Sequence, residues 1–220
     1  MIQKSELSDA QNTLHGTIHK TPVLTSSFLD GLTGARLFFK CENFQKVGAF
    51  KFRGASYAVS QLSASKKANG VTTHSSGNHG QALAKAAADA GIKAYIVMPE
   101  NAPIVKIDAV RGYGAEVSLC PPTLASREEY MERIIDENGA TPIHPYNDRD
   151  IILGQSTCAQ ELIQQTDNLD YIIAPVGGGG LLSGTLLAAH YFAPKIQVIA
   201  GEPAGADDAY QSWKAGKLIK

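Results

Sequence analysis

The sequence predicts an α/β protein whose parallel sheets are covered by helices on both faces. Short apolar runs alternate with longer helical stretches from about residue 70 to the end of the chain. Runs such as Ala94-Tyr95-Ile96-Val97-Met98 and Tyr171-Ile172-Ile173-Ala174-Pro175-Val176 lack polar alternation, as strands buried on both faces do. Glycines cluster where strands meet helices, which points to tight, ligand-cradling turns.

The elements follow in order. Leu7, Ala10, Leu14 and Ile18 recur at helical spacing and predict a helix over roughly 5–18, broken by Thr21-Pro22. Thr25-Ser26-Ser27 reads as the N-cap of a short helix ending at Gly31 or Gly34, and Arg36 to Lys40 as a strand. After Lys51 a helix places Phe52, Ala55, Val59 and Leu62 on one face. Strands follow at 71–74, 94–98, 116–119, 171–176 and 197–200. Helices are expected at 78–90, 103–110, 125–138, 150–165, 181–192 and 207–214. No internal repeat, low-complexity tract or flexible linker interrupts them.

Composition narrows the class. The 220 residues carry a formal net charge of -1, which gives no electrostatic case for nucleic acid or an anionic membrane. No apolar run approaches the roughly 18 residues of a membrane span, and Met1 to Glu6 lack the apolar core of a signal peptide. Cys41, Cys120 and Cys158 are odd in number and far apart, which fits a reducing cytoplasm better than a disulfide framework.

Three stretches carry chemistry. In Val47-Gly48-Ala49-Phe50-Lys51-Phe52-Arg53-Gly54-Ala55 a lysine lies between two aromatic rings. Apolar neighbours favour the neutral, nucleophilic amine, and Arg53 would push the same way by charge. The same residues also suit an amphipathic lysine with its stem buried and its head in water. Gly177-Gly178-Gly179-Gly180 closes a strand and opens a helix, as a phosphate cradle does. Leu181-Leu182 stand where a Walker loop needs Lys-Ser/Thr. A dinucleotide fingerprint from Gly178 meets Ser183, although Glu202 follows the next strand. His74-Ser75-Ser76-Gly77-Asn78-His79-Gly80-Gln81 joins a strand to a helix and offers donors to a carboxylate, or simply caps the helix. Together the three stretches suit pyridoxal 5'-phosphate, which needs a Schiff-base lysine, a phosphate site and groups around its ring.

Lys40 to Ala55, the Ser-Ser-Gly-Asn-His loop and the Pro-Val-Gly-Gly-Gly-Gly loop resemble the serine racemase and serine/threonine dehydratase family. These are fold-type II (tryptophan synthase β-like) pyridoxal phosphate enzymes, and the match runs in order along essentially the whole chain. The resemblance implies two parallel-sheet domains: a large cofactor-binding one from 1–69 and 148–220, and a small one from 70–147. It implies that Lys51, after Phe50, forms the Schiff base and acts as base on one face of the substrate. Gly177, Gly178, Gly179 and Gly180 would hold the phosphate, and Asn78 the ring hydroxyl. Ser75, Ser76, Gly77, Asn78 and His79 would surround the substrate carboxylate. Ser76 stands where racemases carry the opposite-face base. Racemisation needs a proton group on each face and elimination needs only one.

Glu202, the Ala206 carbonyl and Asp208 resemble the family's divalent-cation site, for Mg²⁺ or alternatively Ca²⁺ or Mn²⁺; by residue type alone two acids at a helix start are also ordinary caps. Ser26, Ser27, Lys46 and Gln81 match positions that hold ATP at a subunit interface in animal-type members, which implies a homodimer. Two positions depart from the pattern: Ala49 for a frequent serine, and Tyr146 where mammalian-type members carry an asparagine near the ring. Family members run on past Lys220, so the large domain is expected to present an unpaired sheet edge and uncovered helix faces.

Three readings follow. One is a serine racemase with L-serine dehydration to pyruvate and ammonia. The second is a threonine/serine or 3-hydroxyaspartate dehydratase. The third is a non-catalytic partner of a longer homologue.

Overall fold

The computed structural model describes residues 2–75 and 77–219. Ser76 therefore lies outside the described residues. Helix α1 (Lys4–Leu14) buries Leu7, Ala10 and Leu14. It stops short of residue 18 because His15 leaves helical geometry and Gly16 turns with φ +79°. Thr17 and Ile18 bond back to the Leu14 carbonyl and close the end.

Strand β1 (Val23–Leu24) pairs with β2 (Phe39–Lys40), and α2 (Ser27–Thr33) lies between them. This pair is antiparallel, unlike the sheets expected, and β2 keeps only the last two residues of the predicted 36–40 strand. Ser26 caps α2 through Leu29 N–H, and Gly34 ends it in the left-handed conformation.

Next come α3 (Lys51–Ser60) and α4 (Ala64–Asn69), the latter too short to show periodicity. The main sheet uses β3 (Val71–His74), β4 (Ala94–Pro99), β5 (Glu116–Cys120) and β6 (Thr141–Pro142). Its order is β5-β4-β3-β6 and every pair is parallel. Crossovers are α5 (Asn78–Asp89), α6 (Ile104–Gly112) and α7 (Leu124–Asn138). Alternation along β4 shows how both faces are covered. Ala94, Ile96 and Met98 join a core with Phe52 of α3, Leu83 of α5 and Val110 of α6. Tyr95 and Val97 point the other way, to Ile134 of α7.

A second layer follows: α8 (Arg149–Gln165), β7 (Tyr171–Pro175), α9 (Gly180–Phe192), β8 (Gln197–Gly201) and α10 (Asp208–Ala215). Strands β7 and β8 form a separate parallel pair. Helices α3, α8 and α9 approach closely through small residues. A Cβ on Gly154 would stand 2.6 Å from the Gly54 Cα, and one on Gly184 2.6 Å from the Ser156 nitrogen. The outer side of this layer is open, with Ile173 of β7 and Trp213 of α10 69% and 80% exposed. Among the described residues no helix is long and apolar enough to cross a membrane.

Candidate active site

Lys51 is the first residue of α3, and its position decides its chemistry. The half-buried Nζ donates to the Pro145 carbonyl at 2.7 Å, and the Phe50 ring centre lies 5.4 Å away. Burial brings the amine down from 10.5 to about 8. Of the flanking residues, Phe52 takes the inward helix face its spacing predicts, and Arg53 departs from the sequence expectation. Phe52 turns into the core, where the Lys46 Nζ lies 5.3 Å from its ring. Arg53 does not repel Lys51. It is fully buried and holds Glu42 at 2.7 and 2.8 Å and Glu161 at 2.8 and 2.9 Å, both through two nitrogens. Burial alone would lower the guanidinium, but these two carboxylates hold it well above its ordinary value. Lys40 adds a third arm, 2.6 Å from Glu161. This balanced cluster ties α3 to α8.

The glycine loop leaves β7 and enters α9. Gly179 adopts φ +84°, a region L side chains rarely enter. A Cβ on Gly177 or Gly179 would meet nothing within 4 Å, so the loop is open on that side. A Cβ on Gly178 would stand 2.1 Å from the Tyr146 ring, so that side is covered. The α9 N-terminus adds partial positive charge.

Lys51 and the glycines meet on one segment, Ile143 to Asn147, between β6 and α8. Lys51 binds the carbonyl of Pro145, and the next residue, Tyr146, covers Gly178 and Gly180. A cavity of about 230 Å³ runs along the same segment, bordered by Thr73, His74, His144 and Pro145.

The Ser75–Gln81 loop is partly as expected. Gly77 donates to the Ser75 hydroxyl at 3.3 Å, and exposed Asn78 starts α5. The His79 imidazole turns inward. It is 3% exposed, and its Nε2 lies 3.1 Å from the Ile143 carbonyl. A carbonyl only accepts, so Nε2 carries the proton. Burial, first of all, pushes this imidazole down to about 3 and keeps it neutral. Nδ1 is then an acceptor, buried with no hydrogen-bond partner among the described residues, and only the backbone N–H of His79 can donate outward.

Glu202 directly follows β8. Val176 N–H donates to the Gly201 carbonyl at 2.9 Å, so the acidic loop and the glycine loop leave the sheet side by side. The Glu202 carboxylate accepts from the N–H groups of Ala209 and Tyr210, at 3.2 and 2.9 Å, and thereby caps α10. Asp208 lies in the first turn of that helix, and Ala206 N–H bonds the Pro203 carbonyl. Of the four positions for which the family resemblance implies ATP, Ser26 caps α2, Ser27 begins it, Lys46 lies 3.8 Å from Asp89, and Gln81 is on α5.

Residues 14–220 match the family model described as pyridoxal-phosphate dependent enzyme. The chain is 53% identical over 202 residues to a beta-hydroxyaspartate dehydratase of Paracoccus denitrificans, covering 92% of this chain and 64% of that one. It is 48% identical to a serine racemase of Dictyostelium discoideum over 219 residues, or 100% of this chain and 68% of that one. The structure of maize serine racemase superposes with a TM-score of 0.96 at 46% identity, over 98% of this chain and 66% of that one. The chain therefore spans about two thirds of the length of the relatives it matches.

Proposed function

The chain belongs to the pyridoxal-phosphate dependent enzymes with the fold-type II architecture, and on that premise we propose that it is a serine racemase with L-serine dehydration as a second outcome. The observation that carries this reading is the partly desolvated Lys51 amine, held one residue away from the aromatic cover of an open glycine cradle. The residues fit the cofactor: Gly177 to Gly180 at a helix N-terminus for its phosphate, Lys51 for its aldehyde and Asn78 for its ring hydroxyl. When bound, pyridoxal phosphate supplies an electron sink for charge developing at the substrate Cα. The chain's residues do the rest. Gly77, Asn78 and the His79 backbone hold the substrate carboxylate at the start of α5. The Lys51 amine takes the Cα proton on one face. A proton returned from Ser76 on the other face gives D-serine, whereas departure of the β-hydroxyl leads to pyruvate and ammonia.

A second reading, 3-hydroxyaspartate dehydratase, is favoured by the 53% identity to the Paracoccus denitrificans dehydratase. Purified protein incubated with pyridoxal phosphate should absorb in the visible, and Lys51→Ala should not. D-serine and pyruvate are then assayed together, with 3-hydroxyaspartate as rival substrate. Full-rate racemisation by Ser76→Ala would refute the second base, and turnover of 3-hydroxyaspartate alone would replace the first reading by the second.

The proposal extends to the setting. The four-stranded sheet, within 70–147, forms the smaller lobe, and 1–69 with 148–220 the larger. Glu202, Ala206 and Asp208 hold Mg²⁺ or a similar cation, which their hard oxygens suit. ATP binds at Ser26, Ser27, Lys46 and Gln81 of a homodimer. The free cysteines suit the cytoplasm.

A further inference from the structure

The segment Ile143 to Asn147 is a junction of three parts of the site. His79 of α5 donates to the Ile143 carbonyl, Lys51 of α3 donates to the Pro145 carbonyl, and Tyr146 packs on the glycines that open α9. What shapes the segment is one side chain within it. His144 Nδ1 accepts N–H bonds from Tyr146 at 3.3 Å and Asn147 at 2.8 Å. Its ring meets the Tyr146 ring edge-on, with centroids 4.5 Å apart. The imidazole thus does what an Asx side chain does in a turn, binding backbone two and three residues on.

Resting on the reading of Lys51 as the cofactor lysine, we propose that His144 is a positioning residue whose unprotonated Nδ1 holds the turn that presents the Pro145 carbonyl to Lys51 and the Tyr146 ring to the glycine cradle. The Pro145 carbonyl then serves as the resting acceptor for the Lys51 amine while that amine is free. Without the Nδ1 acceptor the two N–H groups lose their partner, the turn opens, and both the lysine and the cradle lose their common reference. The same holds if Nδ1 takes a proton, since a doubly protonated ring cannot accept. Burial first of all, and the Lys51 charge, lower the tendency of His144 to protonate, and Asp148 opposes them. Lys51 of α3, Asp148 at the N-cap of α8, His74 of β3 and His79 of α5 are the charged or titratable groups that act on His144 or feel it.

The test compares His144→Ala with His144→Asn, whose side-chain oxygen stands where Nδ1 does and does not titrate. Three readouts are taken on the purified protein. One is the pyridoxal phosphate dissociation constant by absorbance titration from pH 5 to 8. Another is the rate at which acetic anhydride acylates Lys51 in the cofactor-free protein, followed by mass spectrometry. The third is Tm. His144→Ala should weaken cofactor binding about tenfold at pH 7.5, as losing two hydrogen bonds implies. It should raise the Lys51 acylation rate about threefold or more, since the amine loses its acceptor. His144→Asn should stay near the wild type in both. In the wild type, cofactor binding should weaken as pH falls below the ordinary histidine value, and in His144→Asn that acid limb should shrink. A lowered Tm in His144→Ala with unchanged cofactor affinity and Lys51 reactivity would overturn the proposal, as would an Asn variant that behaves like Ala. Wild-type protein that fails to take up the cofactor overturns the function reading instead; the acylation rates then decide the positioning claim alone.

Discussion

Replacing Lys51 with methionine should make the cofactor-free protein more stable, although it removes the residue assigned to the chemistry. Methionine keeps the stem's packing and deletes a charge that the site holds partly out of water. Burial takes the amine from 10.5 to about 8, which corresponds to about 3 kcal/mol of disfavoured charge at neutral pH. The bond to the Pro145 carbonyl and water at the half-buried Nζ offset part of this, which leaves a gain of about 1–3 kcal/mol in Lys51→Met. In a chain of this size that raises Tm by about 3–9 °C. The sign with pH follows from the lowered value. Between about 8 and 10.5 the unfolded chain still binds the proton and the folded chain does not, so wild-type stability rises with pH. The advantage of Lys51→Met is therefore full below pH 8 and fades toward pH 10.5. Urea unfolding of both cofactor-free proteins at pH 7, 8.5 and 10 measures it. A variant less stable than the wild type at pH 7, or an advantage that does not shrink as pH rises, would refute the desolvation argument.

Three further outcomes can be checked by unfolding. Gly178→Ala should cost about 1–3 kcal/mol because its Cβ would stand 2.1 Å from the Tyr146 ring. Tyr146→Ala in the same chain should recover most of that, and Gly177→Ala, with open space in front, should change stability by under about 0.5 kcal/mol. Glu161→Gln should cost about 3–5 kcal/mol, since Arg53 and Lys40 stay buried with half their compensation gone. Burial would raise Glu161, but Arg53 and Lys40 hold it below 4.5, so its contribution is full above that pH and is lost as pH falls through the lowered value. An acid titration of stability should accordingly be shallower in the variant. Glu202→Ala should cost about 1 kcal/mol and speed amide exchange at Ala209 and Tyr210, whose N–H groups lose their cap.

Residues whose job is set within one turn of chain were legible from spacing. The glycine loop is a strand-to-helix junction, and its open side follows from four consecutive residues without Cβ. Three strands of the four-stranded sheet, β3, β4 and β5, were legible too, β4 most clearly because a uniformly apolar run has to be covered twice, whereas the two-residue β6 is too short to leave a pattern. The inward face of α3, with Phe52, Ala55 and Val59, was legible from helical spacing, but the partners of Arg53 were not. The Arg53 partner Glu161 lies 108 positions away, a distance at which no local pattern carries information. The hydrogen bonds of His144 and Pro145 were hidden likewise. Pro142 and Pro145 around the histidine were the available signal, since they restrict the backbone there.

By itself the sequence determined the alternation of strands and helices, the glycine loop between a strand and a helix, and the family. These depend on backbone preference, burial period and residue type, which are properties of neighbouring positions. Only the tertiary structure decided which groups face Lys51. Its amine is lowered by burial in the folded chain, not by the arginine beside it in the sequence. Arg53 is neutralised by carboxylates from two other elements. Desolvation and charge pairing act through space, so they exist only once the folded chain has brought distant residues to within a few ångströms.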